Sequence, residues 1–305
     1  MEIEVVLTSH RVEYIPMIRD SAMASEVIML EEPPNDNLFR FFNGEMDLRS
    51  YVKSLDTSFP VYTYFLSDLL KHMNSMGKRI LQIEPYLEIV QKMQKSIEDG
   101  TFEEFVKDKT IESVRNIEKK VFGAFIKYQE VFMSKDFDEL VDATVNFSVA
   151  DAERFRFRDE MRLSKIFEVI EHLREKDENM KIMIESGSIH TRIPERLNKE
   201  LKEDYIKTVD LKRIAAKMLG IEYLKNPGTQ LTEIFINDVD AGEEELKLLA
   251  ARSLVYISKV SPQEMLPKSK NDFPHLVEEM EISKKVSSMD YDECKQEFMK
   301  IWNIA

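Results

Sequence analysis

Four apolar runs, each only four or five residues long, limit how this chain can fold more than any other feature. They are Glu4–Leu7 (EVVL), Val27–Leu30 (VIML), Arg79–Ile83 (RILQI) and Lys181–Ile184 (KIMI). Runs this short, bounded by polar residues or breakers, read as buried strands, because a core helix needs about 10 residues or more. Tyr205–Val209 (YIKTV) is a fifth and weaker run. Between the runs the spacing becomes helical. In Ser58–Met76, the residues Tyr62, Phe65, Leu66, Leu69, Met73 and Met76 share a face, Ser58 is placed to cap, Pro60 suits the first turn and Gly77 supplies the stop. Asp151–Arg174 repeats the pattern through Leu163, Ile166, Phe167, Ile170 and Leu173.

Strand and helix alternating along the chain predict an α/β fold, a mostly parallel central sheet flanked by helices. Residues 1–210 are expected to form the α/β domain, with a long helical insertion at about 85–174, and 211–305 a helical C-terminal region packed on it. In that region Glu244–Val260 is strongly amphipathic, with Leu246, Leu249, Ala250, Leu254 and Ile257 on one face. The aromatic stripe Phe122, Phe125, Tyr128 and Phe132 has helical spacing and is expected to be core.

A net charge of −14 argues against nucleic acid as the main partner and against an anionic membrane surface, since both need clustered Lys and Arg. No window reaches about 18 uninterrupted apolar residues, and the opening MEIEVVLTSH carries acids where a signal peptide carries basic residues. One cysteine, Cys294, excludes an internal disulfide and a thiolate zinc cage. The expectation is a cytoplasmic protein without membrane spans. Glycine-rich phosphate cradles are missing, and Asp238–Gly242 (DVDAG) falls short of a calcium loop.

The chemistry lies just beyond the strands. After EVVL come Thr8, Ser9 and His10; after VIML, Glu31 and Glu32; after RILQI, Glu84; after KIMI, Glu185, Ser186, Gly187, Ser188, Ile189 and His190. In an open parallel sheet all these positions share the edge where such folds place their ligands. Two imidazoles and at least three carboxylates could converge there, with Gly187 permitting a tight or left-handed turn that swings His190 back over the crevice. Helix capping by Glu31 or Glu32, and a solvated first-turn role for Glu84, remain open.

The segments VVLTSH, VIMLEEPP, ILQIEPY, RDEMRLSKI and IESGSIHTRIPERL resemble, in order and spacing, the TraB/PrgY-like family. Its superfamily takes in Tiki proteases, ChaN-like haem-binding proteins and erythromycin esterase-like enzymes. The resemblance covers roughly residues 3 to 210. The second Gly-x-x-His motif of that family is matched by Gly187-Ser188-Ile189-His190, and its helical Arg-Asp by Arg158-Asp159. Leu7 stands where the first motif has glycine, and Arg162-Leu163 replace the usual Met-Ala pair.

The residue types suit a metal-dependent hydrolase: His10, His190 and Glu31 would hold a divalent cation such as zinc, manganese, cobalt or iron, and Glu84 or Glu32 would act as base. Arg158 would hold a substrate carboxylate or neutralise the glutamates, or else form a surface ion pair, with Ser9, Ser188, Gly187 and Asp159 in support. The resemblance to Tiki proteases implies a peptide or other amide substrate. Two alternatives keep the residues: a metal-free esterase-like enzyme, and a non-catalytic module binding haem, a small molecule or a peptide. A homodimer contact through the C-terminal helices is a further possibility left open at this point.

Overall fold

The structure, a computed structural model, describes residues 1–55 and 57–303. Its sheet has five strands, β1 (Glu2–Thr8), β2 (Val27–Leu30), β3 (Arg79–Gln82), β4 (Lys181–Gly187) and β5 (Tyr205–Asp210), in the order β3-β2-β4-β1-β5. Every pairing is parallel, so the fold is α/β as the alternation predicts. Burial follows position in the sheet. The inner strands β2 and β4 are buried along nearly their whole length, while the edge strands β3 and β5 are largely open. That is why YIKTV is the weakest of the five signals.

Two compact units divide the chain. The first comprises residues 1–88, 159–221 and 263–276 and holds the sheet; the second comprises 89–158, 222–262 and 277–305 and is helical. Much of the expected insertion and of the C-terminal region thus folds as one body, while 263–276 returns to the sheet unit. The helical unit is built around Phe137, Leu140, Val141, Leu249, Leu254, Val255 and Phe298. The aromatic stripe enters that core only in part, because Phe122 is 64% exposed and Phe125 40%. Ile257, expected on the buried face of its helix, is exposed.

In the sheet unit Ile3, Val5, Leu7, Val27, Met29, Ile182 and Ile184 from the strands pack with Leu163, Ile166, Ile170 and Leu173 of the long helix Phe137–Arg174, and with Ile193 and Leu197. Each fully buried aliphatic side chain contributes about 1.5–3 kcal/mol, which anchors the helix along the sheet. The helix ends at Arg174 and the chain re-enters at Lys181 as β4, so the two run in opposite directions. Stepping back from Leu173 to Arg162 covers about 16 Å at 1.5 Å per residue. Moving up β4 from Lys181 to Glu185 covers about 13 Å. Arg162 and Asp159 are therefore delivered to the carboxyl ends of the strands.

The helix Pro60–Ser75 matches its expected span, but Ser58 is not its cap; the residue before it is Phe59, without a capping side chain. The carboxylate of Glu264 instead accepts the Val61 and Tyr62 N–H groups at 2.8 and 2.9 Å. No described helix is long and apolar enough to cross a membrane.

Candidate functional site

Because β4 lies between β1 and β2, the residues leaving those three strands are neighbours whatever their separation in sequence. β1 and β4 are paired through Thr8 and Gly187, and the Ser188 N–H donates to the Thr8 carbonyl at 2.7 Å. His10 follows two residues after β1, Glu31 one residue after β2, and Glu185 and Gly187 sit at the end of β4 itself. A methyl group placed on Gly187 would lie 3.3 Å from His190 Cδ2, 3.4 Å from Glu31 Oε2 and 3.6 Å from His10 Cε1. The two imidazoles and one carboxylate therefore meet over a single glycine.

That geometry changes the reason for the glycine. Gly187 is the last residue of β4 and does not adopt a left-handed turn; its hydrogen leaves room for the three side chains crowded above it. The left-handed residue is His10, with φ at 53°. A β-carbon in that region costs about 1–3 kcal/mol, and such outliers concentrate where a side chain must be aimed.

The hydrogen bonds are arranged so that one end of several key groups is anchored. His190 faces Glu31 Oε1 through Nε2 at 2.8 Å, while its Nδ1 is held by Asp159 Oδ1. Glu31 Oε2 accepts from Arg162 Nη1 at 3.1 Å and from the Gly187 N–H. Glu185 Oε1 faces His10 Nε2 at 3.1 Å, and its Oε2 accepts the Glu31 N–H at 3.1 Å. Arg162, fully buried, also donates to the Ile83 carbonyl, the Glu185 carbonyl and the Ser186 hydroxyl.

A cavity of about 140 Å³ opens beside these groups, lined by His10, Glu31, Glu32, Glu185, Thr57, Phe59, Tyr62, Thr63 and Leu66. Glu32 accepts from Gln82 Nε2 at 3.0 Å, and burial raises its carboxyl pKa above the ordinary value, reinforced by the charge of Glu185. Burial alone would lower the His190 pKa, but Glu31 and Asp159 overcome it and push it up to about 9. His10 is likewise shifted upward: burial works against protonation, and the Glu185 hydrogen bond with the charges of Glu185 and Glu31 outweighs it.

Several expected roles move. Arg158 belongs to the helical unit, where its guanidinium lies over the Phe155 ring. Arg162, one helical turn onward, is a cation paired with Glu31. Its signal was present in the sequence, since 159, 162, 163, 166, 170 and 173 form one helical stripe in which a charged pair continues an apolar face. Glu84 is fully buried and is not among the residues lining the cavity. Glu185, placed beyond KIMI but given no role, and Tyr62, read only as part of a helix face, both line the cavity; β4 runs three residues beyond KIMI. Ser9 contributes a buried hydroxyl next to His10, and Ser188 contributes its backbone N–H to Thr8.

Among the described residues no three His, Cys, Asp or Glu side chains form a ready metal-binding cluster. In kind the donors nevertheless fit a divalent cation: two imidazoles and three carboxylates without thiolate, with the Nδ1 of His190 on a carboxylate in the manner of metal-ligating histidines.

No family model matches the chain, and no solved structure matches it. A protein of Archaeoglobus fulgidus described as uncharacterized is 35% identical over 299 residues, an alignment spanning 98% of each chain. This chain belongs to the same family as that archaeal protein.

Proposed function

We propose that the cavity is the active site of a metal-dependent hydrolase of the TraB/Tiki type, acting on a peptide or other amide. The observation that carries the reading is the meeting of His10, His190 and Glu31 over Gly187, beside a cavity that also exposes Glu32. His10, His190 and Glu31 would hold the cation, which when bound supplies Lewis acidity to the carbonyl and to water. Asp159 fixes the His190 ring, while Arg162 and the Gly187 N–H fix Glu31. Glu32, whose raised pKa makes it the stronger base, takes a proton from water as its oxygen adds to the carbonyl carbon. The same proton then passes to the departing nitrogen as the C–N bond breaks. A cavity of about 140 Å³ suits a small reacting group with the rest of the substrate outside, and is small for an enclosed macrocycle such as haem, since ligand pockets span about 300–1,000 Å³.

A second reading is favoured by the pairwise hydrogen bonding. His10, oriented by Glu185, could itself take the proton from water without a cation. Elemental analysis of protein purified without chelator, together with hydrolysis of fluorogenic peptides and aryl esters, separates the two. Activity lost on chelation and restored by zinc, manganese, cobalt or iron supports the first, and activity surviving chelation supports the second. His190→Ala should lose both bound metal and turnover; no hydrolysis by the parent protein under any of these conditions overturns both readings.

A further inference from the structure

We propose that Tyr62 is a catalytic residue that donates a hydrogen bond to the substrate's carbonyl oxygen; this rests on the hydrolase reading. Its ring lines the cavity and tilts against His10, with the ring centroids 5.5 Å apart. Its hydroxyl is buried and makes no close hydrogen bond among the described residues, with only a weak interaction toward Glu185, a costly position for a structural group because a poorly satisfied buried hydroxyl destabilises a fold. The nearby acceptors have closer partners: Glu31 in Arg162 and Gly187, Glu32 in Gln82, and Glu185 in His10 and the Glu31 N–H, which leaves Glu185 only a weak interaction with the phenol. Burial and the neighbouring carboxylates Glu185, Glu32 and Glu31 push the phenol's pKa well up, so the proton stays on oxygen.

The backbone beneath Tyr62 is fixed from a distance. Glu264, 202 residues away, clamps the N–H groups of Val61 and Tyr62 and thereby sets the first turn of the helix Pro60–Ser75. A neutral donor held in this way among carboxylates is what a developing oxyanion requires, since negative charge on the carbonyl oxygen would otherwise face acids. As water adds to the carbonyl carbon and its proton leaves to Glu32, the C=O electron pair moves onto oxygen and strengthens the bond from Tyr62. When the amine departs, the pair returns and Tyr62 keeps its proton throughout.

The test is Tyr62→Phe, which removes one oxygen and keeps the ring against His10. On a fluorogenic peptide or ester that the parent cleaves, kcat should fall about 100-fold or more with KM within about two-fold, as for loss of one oxyanion donor. Melted without substrate, the variant should hold or raise its Tm. Parent-like kcat in the variant overturns the proposal and leaves the hydrolase reading standing. A Tm lowered by several degrees also overturns it, because the hydroxyl would then be structural. A parent without hydrolytic activity removes the hydrolase reading and the proposal together.

Discussion

In the sheet unit Glu84, Asp159, Arg162, Glu185, His190 and Lys212 are buried, along with Glu13 and His275 at a helix start; in the helical unit Glu279 is the one charged side chain buried among the described residues. The helical unit excludes water with Leu, Val, Ala and Phe, and its other buried polar groups are Ser and Thr hydroxyls. Burying a charge costs several kcal/mol unless it is paired and hydrogen-bonded. A fold accumulates such groups in one half only where something other than stability requires them. The comparison sets the sheet unit apart by its buried charges, which supports proposing the site there on grounds independent of any motif.

The largest effect should come from Arg162→Leu. The substitution keeps the apolar stem but leaves Glu31, the Ser186 hydroxyl and two carbonyls facing empty space. Removing one partner of a buried pair costs about 3–5 kcal/mol. Leu254→Ala, in the core of the helical unit, should cost about 2–5 kcal/mol through its cavity alone. Trp302 lies in the helical unit and is the chain's one tryptophan. Its fluorescence during urea unfolding reports that unit, while circular dichroism reports the whole. An Arg162→Leu protein as stable as the parent would remove the contrast.

Next comes pH. His190 has a folded pKa of about 9 against an ordinary 6.5. A raised folded pKa means that the native state binds the proton more tightly, so this stabilisation is fully present below about 6.5 and disappears as pH rises through about 9. Chelator-treated protein should lose a few kcal/mol across that window. Asp159→Asn should flatten the slope, because one of the two carboxylates holding the ring positive is gone. A flat profile in the parent would show that His190 is not held charged.

How much of this was legible beforehand depends on what kind of signal each residue leaves. Strands β2 and β3 were found almost to the residue, because a short apolar run between charges has few other readings. That His10, Glu31, Glu32 and His190 share one edge of the sheet was legible because parallel topology sends every strand end there. Glu185 was placed at that edge but given no role, since a glutamate within a buried strand contradicts the pattern that defines the strand. Arg162 was missed because its partners, Glu31 and the carbonyls of Ile83 and Glu185, lie far away in sequence. Gly187 was read as permitting a tight or left-handed turn; what its position requires is space, which depends on three side chains folded over it.

A smaller effect tests the strained backbone. Alanine is ordinarily the more stabilising residue, yet at position 10, where φ is 53°, the order should reverse. Both His10→Ala and His10→Gly remove the imidazole and leave Glu185 without it, so their difference isolates the backbone. His10→Gly should be more stable by about 1 kcal/mol, read from urea midpoints at equal slope. Equal midpoints would mean that the left-handed conformation is not what holds His10 in place.

The smallest effect belongs to the helical unit, where charges stay at the surface. Asp138 accepts from Lys295 at 2.6 Å and from the Tyr291 hydroxyl at 2.8 Å, and those bonds hold its carboxyl below the ordinary pKa. A depressed folded pKa contributes stability above the unfolded value of 3.8, and that contribution fades as pH falls through the folded one. Asp138 is 59% exposed, so solvent screens the pair and Lys295→Ala should cost about 0.2–1 kcal/mol at neutral pH, less in high salt. The two units thus titrate at opposite ends of the scale: the helical unit weakly, in acid, through a solvated pair, and the sheet unit strongly, in alkali, through a ring enclosed by carboxylates. Melting the parent and Lys295→Ala at pH 3 and pH 7 should show them converging in acid. A Lys295→Ala defect as large as that of Arg162→Leu would mean that surface pairs and buried networks weigh alike here, and the reason for proposing an active site in the sheet unit would weaken with it.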